Sequence, residues 1–254
     1  MEISAEQGEF KRGTEEPFAA LQSEAMVSSE TVISKAGWAG VLTTISNGEF
    51  NEKVVLAPVI RCFSGHKSLV SKLERHHQDE ARHGLLLREI VQKQFSGFEH
   101  KPTLITKVLY QFVVPLVASF GRWNPVFNIA LLYFFEAFTN RFYVRVKERS
   151  GELGLTEIEE LLTSIIRDEL RHIRHVEIYR QAWVAKREQT VWRYFDRLGF
   201  WLARRAFLWD CELDPSSHRN ARLKRNLSLI GVDLDQFQQD VLIAEKTVIE
   251  RFSV

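Results

Sequence analysis

The chain has 254 residues, 45% hydrophobic and 26% charged, with 34 Lys+Arg against 33 Asp+Glu. That length and apolar content suffice for one large domain with a substantial core, and the even charge balance, without a basic stripe, argues against a nucleic-acid partner. The two cysteines, Cys62 and Cys211, form no metal-binding spacing and no disulfide framework, which fits a reducing, cytoplasmic compartment.

Six prolines and thirteen glycines suit a mainly helical chain. Residues 1 to about 25 form a polar lead-in with Gly8, Gly13 and Pro17, unlike a signal or transit peptide. A helical period runs over residues 29–63; Pro58 inside it should start, kink or locally open a turn. Ser64-Gly65-His66 is a turn, and residues 67–95 form a second helix that stops before Ser96-Gly97. Residues 104–120 are the most apolar stretch, but Lys107, Gln111 and Pro115 leave no run long enough to span a bilayer, so a buried or interfacial helix is expected there. A turn at Gly121 to Pro125 leads into a helix around Glu136. Ser150 to Gly154 is a loop, and Thr156-x-x-Glu159 has the form of a capping box opening a helix that reaches about Arg187. Residues 190–254 begin with Trp192, Tyr194, Phe195, Phe200, Trp201, Phe207 and Trp209, break at Asp214-Pro215, and continue as two amphipathic segments over about 219–230 and 234–252. The expected organisation is a single all-α domain: a bundle over about 29–187 and a helical extension over 190–254.

Two of these helices carry the same string. Asp79-Glu80-Ala81-Arg82-His83 and Asp168-Glu169-Leu170-Arg171-His172 both spell Asp-Glu-x-Arg-His, 89 positions apart. Glu and His three apart project from one helix face. Their neighbours at helical spacing are apolar: Leu69, Leu73, His76, Glu80, His83, Leu87 and Ile90 on the first, Leu162, Ile165, Glu169, His172, Val176 and Tyr179 on the second. Both acid–imidazole pairs therefore point into a core. An unpaired carboxylate there costs several kcal/mol at least, and a cation shared among acids removes that cost.

Two partner helices should supply further acids. Glu136 is the lone acid of a long apolar, aromatic run, 33 positions before Glu169, on the seam Val126, Ile129, Tyr133, Glu136, Asn140, Tyr143. The same spacing before Glu80 lands near position 47, and the nearby acids Glu49 and Glu52, 31 and 28 positions upstream, share the seam Leu42, Ile45, Glu49, Glu52, Leu56, Val59, Phe63. Glu49 is favoured, with Glu52 as the alternative. The expected metal ligands are thus Glu49, Glu80, His83, Glu136, Glu169 and His172. Four carboxylates and two imidazoles without thiols suit two iron ions, or manganese, better than zinc. No catalytic residue beyond the ligands is written in the sequence. Tyr133, Phe134 and Tyr143 are candidates for an apolar substrate pocket, although plain core packing explains each as well. His76 lies on the first seam, as a group behind the ligands or a satisfied core residue.

Over residues 40–180 this pattern resembles the ferritin-like di-iron carboxylate superfamily, in its O2-activating branch of monooxygenase hydroxylases, acyl-carrier-protein desaturases and arylamine N-oxygenases. The resemblance rests on the doubled Asp-Glu-x-Arg-His string and on Gly48-Glu49 roughly thirty residues ahead of the first copy. It implies a ferritin-like four-helix bundle with extra helices at both ends. It also implies a crossed arrangement, in which Asp79 and Asp168 reach the opposite copy's His while Arg82 and Arg171 neutralise them; spacing alone only permits this. The N-oxygenase branch adds a third His ligand, for which His175 is the candidate. The implied activity is O2-dependent hydroxylation, N-oxygenation or desaturation of an apolar or carrier-bound substrate. An external electron donor or redox partner is needed, since the chain carries no flavin, nicotinamide or Cys-cluster fingerprint. A ferritin-type ferroxidase without organic substrate is the alternative, and a metal-free scaffold a weaker one. A membrane partner is not expected, and a homodimer stays open.

Overall fold

The computed structural model describes residues 16–98, 119, 124–184, 190–211 and 220–252. The described residues are all-α, and no strand occurs among them. Seven helices follow in order: α1 (Glu16–Cys62), α2 (Lys67–Gln94), α3 (Pro125–Glu152), α4 (Thr156–Val184), α5 (Thr190–Asp210), α6 (Ala221–Leu229) and α7 (Leu234–Phe252). Among them, no helix is long and apolar enough to cross a membrane. The apolar stretch 104–120 lies outside the described residues apart from Ser119.

Four helices close a ring: α1 packs on α2, α2 on α4, α4 on α3 and α3 on α1. The amphipathic seams explain this. On α2 the buried side chains are Leu73, His76, Glu80, His83, Leu87, Ile90 and Val91, and on α4 they include Leu162, Ile165, Glu169, His172, Val176 and Tyr179. Helix α3 is apolar on most sides because it also takes α5 and α7, so it has no broad solvent stripe. Phe134 stacks on Phe207 of α5 at 5.1 Å, and Phe138 meets Phe237 of α7 edge-on at 5.0 Å. Ion pairs pin the extension: Arg145 Nε donates to Asp240 Oδ2 at 3.0 Å, and Arg204 Nε to Glu245 Oε1 at 2.5 Å. Helix α6 packs instead on α1, close enough that a Cβ on Gly37 would come within 2.7 Å of the Leu229 side chain.

Three local expectations change. Helix α1 begins at Glu16, within the stretch expected to be a lead-in; Pro17 falls in the first turn, where a missing N–H costs nothing. The stretch 150–154, expected to be a loop, is helical through Glu152 at the end of α3, while Pro58 lies within α1, which continues to Cys62. Thr156 does not cap α4 as a box: the Leu155 carbonyl accepts the Glu159 N–H at 3.1 Å.

The helix pair that carries the motifs is held in register at Gly84. Ser46 Oγ of α1 donates to the Gly84 carbonyl at 2.8 Å, and a Cβ at Gly84 would sit 2.7 Å from the Phe50 ring. That close approach places the Glu49 turn of α1 opposite the Glu80–His83 turn of α2.

Candidate metal centre

The ring of helices brings the six expected side chains together in its interior. Glu49 comes from α1, Glu80 and His83 from α2, Glu136 from α3, and Glu169 and His172 from α4; all are buried. His76 joins them, four residues before Glu80 on the same seam and fully buried. The seven resolve into two groups, Glu49–Glu80–His83–Glu169 and His76–Glu80–Glu136–His172. Within each group, one nitrogen or oxygen per residue lies within 4.8 Å of the others, and Glu80 belongs to both.

In the first group His83 Nδ1 stands 3.4 Å from Glu49 Oε2 and 3.7 Å from Glu169 Oε1. In the second, His172 Nδ1 stands 2.8 Å from Glu80 Oε1, while His76 Nε2 is 2.7 Å from Glu136 Oε1. The rings of His76 and His172 stack at 3.7 Å. Glu52, one turn after Glu49, lies 3.3 Å from His76 Nε2 and keeps 18% of its side chain exposed. The two acids of α1 are therefore not rivals for one place: Glu49 faces His83 and Glu52 faces His76.

Behind the histidines the two motifs cross. Asp168 Oδ2 is 3.1 Å from His83 Nε2, and Asp79 Oδ2 is 3.5 Å from His172 Nε2. Arg82 donates to Asp168 at 2.5 Å and Arg171 to Asp79 at 2.7 Å. A carboxylate accepting the Nε2–H leaves the Nδ1 lone pair aimed inward, the arrangement in which a histidine binds a metal. Two hydroxyls also touch the acids. Tyr143 donates to Glu49 Oε1, and Thr139 Oγ1 lies 3.2 Å from Glu169 Oε2.

Electrostatics mark the interior as short of positive charge. Burial drives the carboxyls of Glu80, Glu136 and Glu169 well above the usual range, and the neighbouring carboxylates push the same way. Burial also opposes ionisation of Glu52, but hydrogen bonding and attraction to His76 outweigh it and hold that acid below its ordinary value. The two motif histidines diverge. Burial lowers His172 to about 4 with the His76 charge assisting, whereas at His83 the contacts to Glu49 and Asp168 outweigh burial and raise it.

Polar atoms left without a hydrogen bond converge on the same space: Glu49 Oε2, Glu80 Oε1, both Glu136 oxygens, Glu169 Oε1, and the inward nitrogens of His76, His83 and His172. Leaving such groups bare costs on the order of 1–3 kcal/mol each, more when charged. Cations at the two groups would satisfy them together, so the residues fit a dinuclear centre.

The other candidates fall elsewhere. His175 belongs to neither group; its ring faces Tyr179 at 6.4 Å, and burial lowers it to about 4. Tyr143 touches Glu49 directly. Phe134 is packed between Phe200 and Phe207, and Tyr133 against Phe252. Sequence reasoning placed His76 behind the ligands or in the core rather than among the inward groups, and it missed Thr139. The place of His76 on the acid seam was a usable signal; a threonine one turn after Glu136 was not.

Comparisons with protein-family models, with curated proteins and with solved structures return no match.

Proposed function

We propose that the chain is a ferritin-like non-haem di-iron oxidoreductase that uses O2 to oxidise an apolar or carrier-bound substrate. The observation that carries this reading is the pair of buried acid–imidazole groups joined through Glu80, with their unsatisfied atoms turned toward one another. Glu49, Glu80, His83 and Glu169 would hold one ion, and His76, Glu80, Glu136 and His172 the other. Iron bound there supplies one-electron chemistry and coordination positions at which O2 is reduced, with electrons from an external donor. The protein's own residues do the rest. Asp168 and Asp79, placed at Nε2 of His83 and His172, orient the two rings so that the Nδ1 atoms face the ions they would hold. Tyr143 occupies one oxygen of Glu49 and leaves the other facing His83. The packed rings of Phe134, Phe138 and Phe207 keep that side of α3 dry, which raises the worth of every charge inside.

The test is direct. Purified chain, stripped and reloaded anaerobically with ferrous iron, should hold two irons and consume O2 with a reductant. Mass spectrometry of an incubated extract should then reveal a molecule that has gained oxygen or lost hydrogen. Iron oxidation without any changed organic molecule would point instead to a ferroxidase, and failure to bind iron would end both readings.

A further inference from the structure

The two motifs make an internal duplication, and three of the places where its halves differ lie at the centre. The sequences of α2 and α4 align at a shift of 89 positions: Leu73 with Leu162, Glu80 with Glu169, His83 with His172. At that shift His76 falls on Ile165, a buried apolar residue. Helices α1 and α3 correspond at a shift of 87, Glu49 on Glu136. There Glu52 falls on Thr139, and Leu56 on Tyr143.

Each difference favours the same half. The group containing Glu136 and His172 gains an imidazole from His76, with the Glu52 carboxylate beside it. The group containing Glu49 and His83 gains only hydroxyls, and they are spent on its carboxylates: Tyr143 on Glu49 and Thr139 on Glu169. One half thus offers two imidazoles and, in Glu136, an acid whose carboxylate carries no hydroxyl contact. The other offers a single imidazole and acids whose oxygens are partly engaged.

We propose that the two half-sites are unequal and fill in order, the His76 half first and more tightly, with the His83 half left as a weaker, oxygen-dominated position. The proposal rests on the dinuclear reading above. Imidazole favours borderline ions such as Co2+, Fe2+ and Zn2+, whereas carboxylate favours Mn2+. The gap between the halves is therefore wide for Co2+ or Zn2+ and narrow for Mn2+, and one Zn2+ with one Mn2+ gives a mixed pair. An imidazole in direct contact counts for at least the about 10–100-fold in affinity that a group hydrogen-bonded behind a ligand is worth.

The experiment is an anaerobic titration of the full-length, metal-free protein with Co2+, followed by visible absorption and calorimetry. Two equivalents binding in steps about ten-fold or more apart are expected. The gap should collapse in His76→Ile, which copies Ile165, and in His76→Gln, which keeps a polar side chain should the first variant misfold. In the wild type, one equivalent of Zn2+ followed by excess Mn2+ should leave one Mn2+ per chain by electron paramagnetic resonance. Equal steps for Co2+, an unchanged gap in a folded His76 variant, or a statistical Zn2+–Mn2+ mixture overturns the inequality while leaving a dinuclear centre standing. Binding of none of these metals removes the centre itself.

Discussion

Stripping the metal should destabilise this protein, and most at alkaline pH. In the metal-free chain the carboxyls of Glu80, Glu136 and Glu169 keep their protons well above the usual range, through burial first and mutual repulsion second. An unfolded glutamate titrates near about 4.3. Above that pH the folded chain holds more protons than the unfolded one, so stability falls as pH rises through the folded values. His83, raised by Glu49 and Asp168 against the pull of burial, acts in the same sense. His172, lowered to about 4, acts in the opposite sense, but only up to the ordinary histidine value of 6.5. Above that value the remaining trend has one sign. Removing one partner of a buried ion pair costs about 3–5 kcal/mol. In a chain of this size each kcal/mol moves Tm by about 2–4 °C, so the metal-free protein should melt about 6–20 °C below the loaded one near about pH 8.5. The gap should narrow toward pH 6.5. Thermal melts by circular dichroism, on chelated protein and on the same sample reloaded with Mn2+, measure this. Identical Tm values with and without metal, or a gap that widens toward acid, would refute the claim that cations neutralise these acids.

Three substitutions probe separate parts of the same construction. Glu80→Ala should lose both ions because its carboxylate is common to the two groups; elemental analysis finding two irons per chain would count against the ligand set. Asp168→Ala should weaken metal binding about 10–100-fold while leaving the fold intact. Its pair with half-exposed Arg82 adds little stability, so unchanged affinity in a chelator competition would deny Asp168 its role behind His83. Gly84→Ala should destabilise by about 1–3 kcal/mol in urea, since the new methyl meets the Phe50 ring at 2.7 Å; a neutral result would mean that α1 slides freely on α2.

Element boundaries were legible where side-chain period and breakers agree. Helix α2 ends at Gln94, just before Ser96-Gly97, and α7 spans the predicted 234–252. They were illegible where proline and glycine carry no tertiary information. Pro17 and Pro58 suggested an interruption at each end of α1, yet Pro17 lies in the first turn, where a lost N–H matters least, and Pro58 is accommodated inside the helix, which continues to Cys62. The aromatic crowd of α5 also divides in a way composition cannot foretell. Phe207 enters the α3 packing, whereas Tyr194 and Trp201 on the same helix remain exposed.

The site was legible for a different reason: a buried charge must be explained, and a charge on an apolar seam is visible in one dimension. That logic finds Glu80, Glu136 and Glu169, because each interrupts a hydrophobic run. It cannot decide between Glu49 and Glu52, which share a seam one turn apart, because seam position fixes direction and not depth along the axis. In the structure both acids face the centre, each toward a different histidine. The same logic ranks His76 below the acids, since a neutral imidazole tolerates burial far better than a carboxylate does. Only the alignment of the two copies turns His76 into a question, by setting it against Ile165. Ile165 is buried at the matching place and brings no donor atom, so the fold does not need an imidazole there. What the fold does not need, the chemistry of the centre must account for, and His76 Nε2, at 2.7 Å from Glu136 and 3.3 Å from Glu52, stands where a cation would draw on all three.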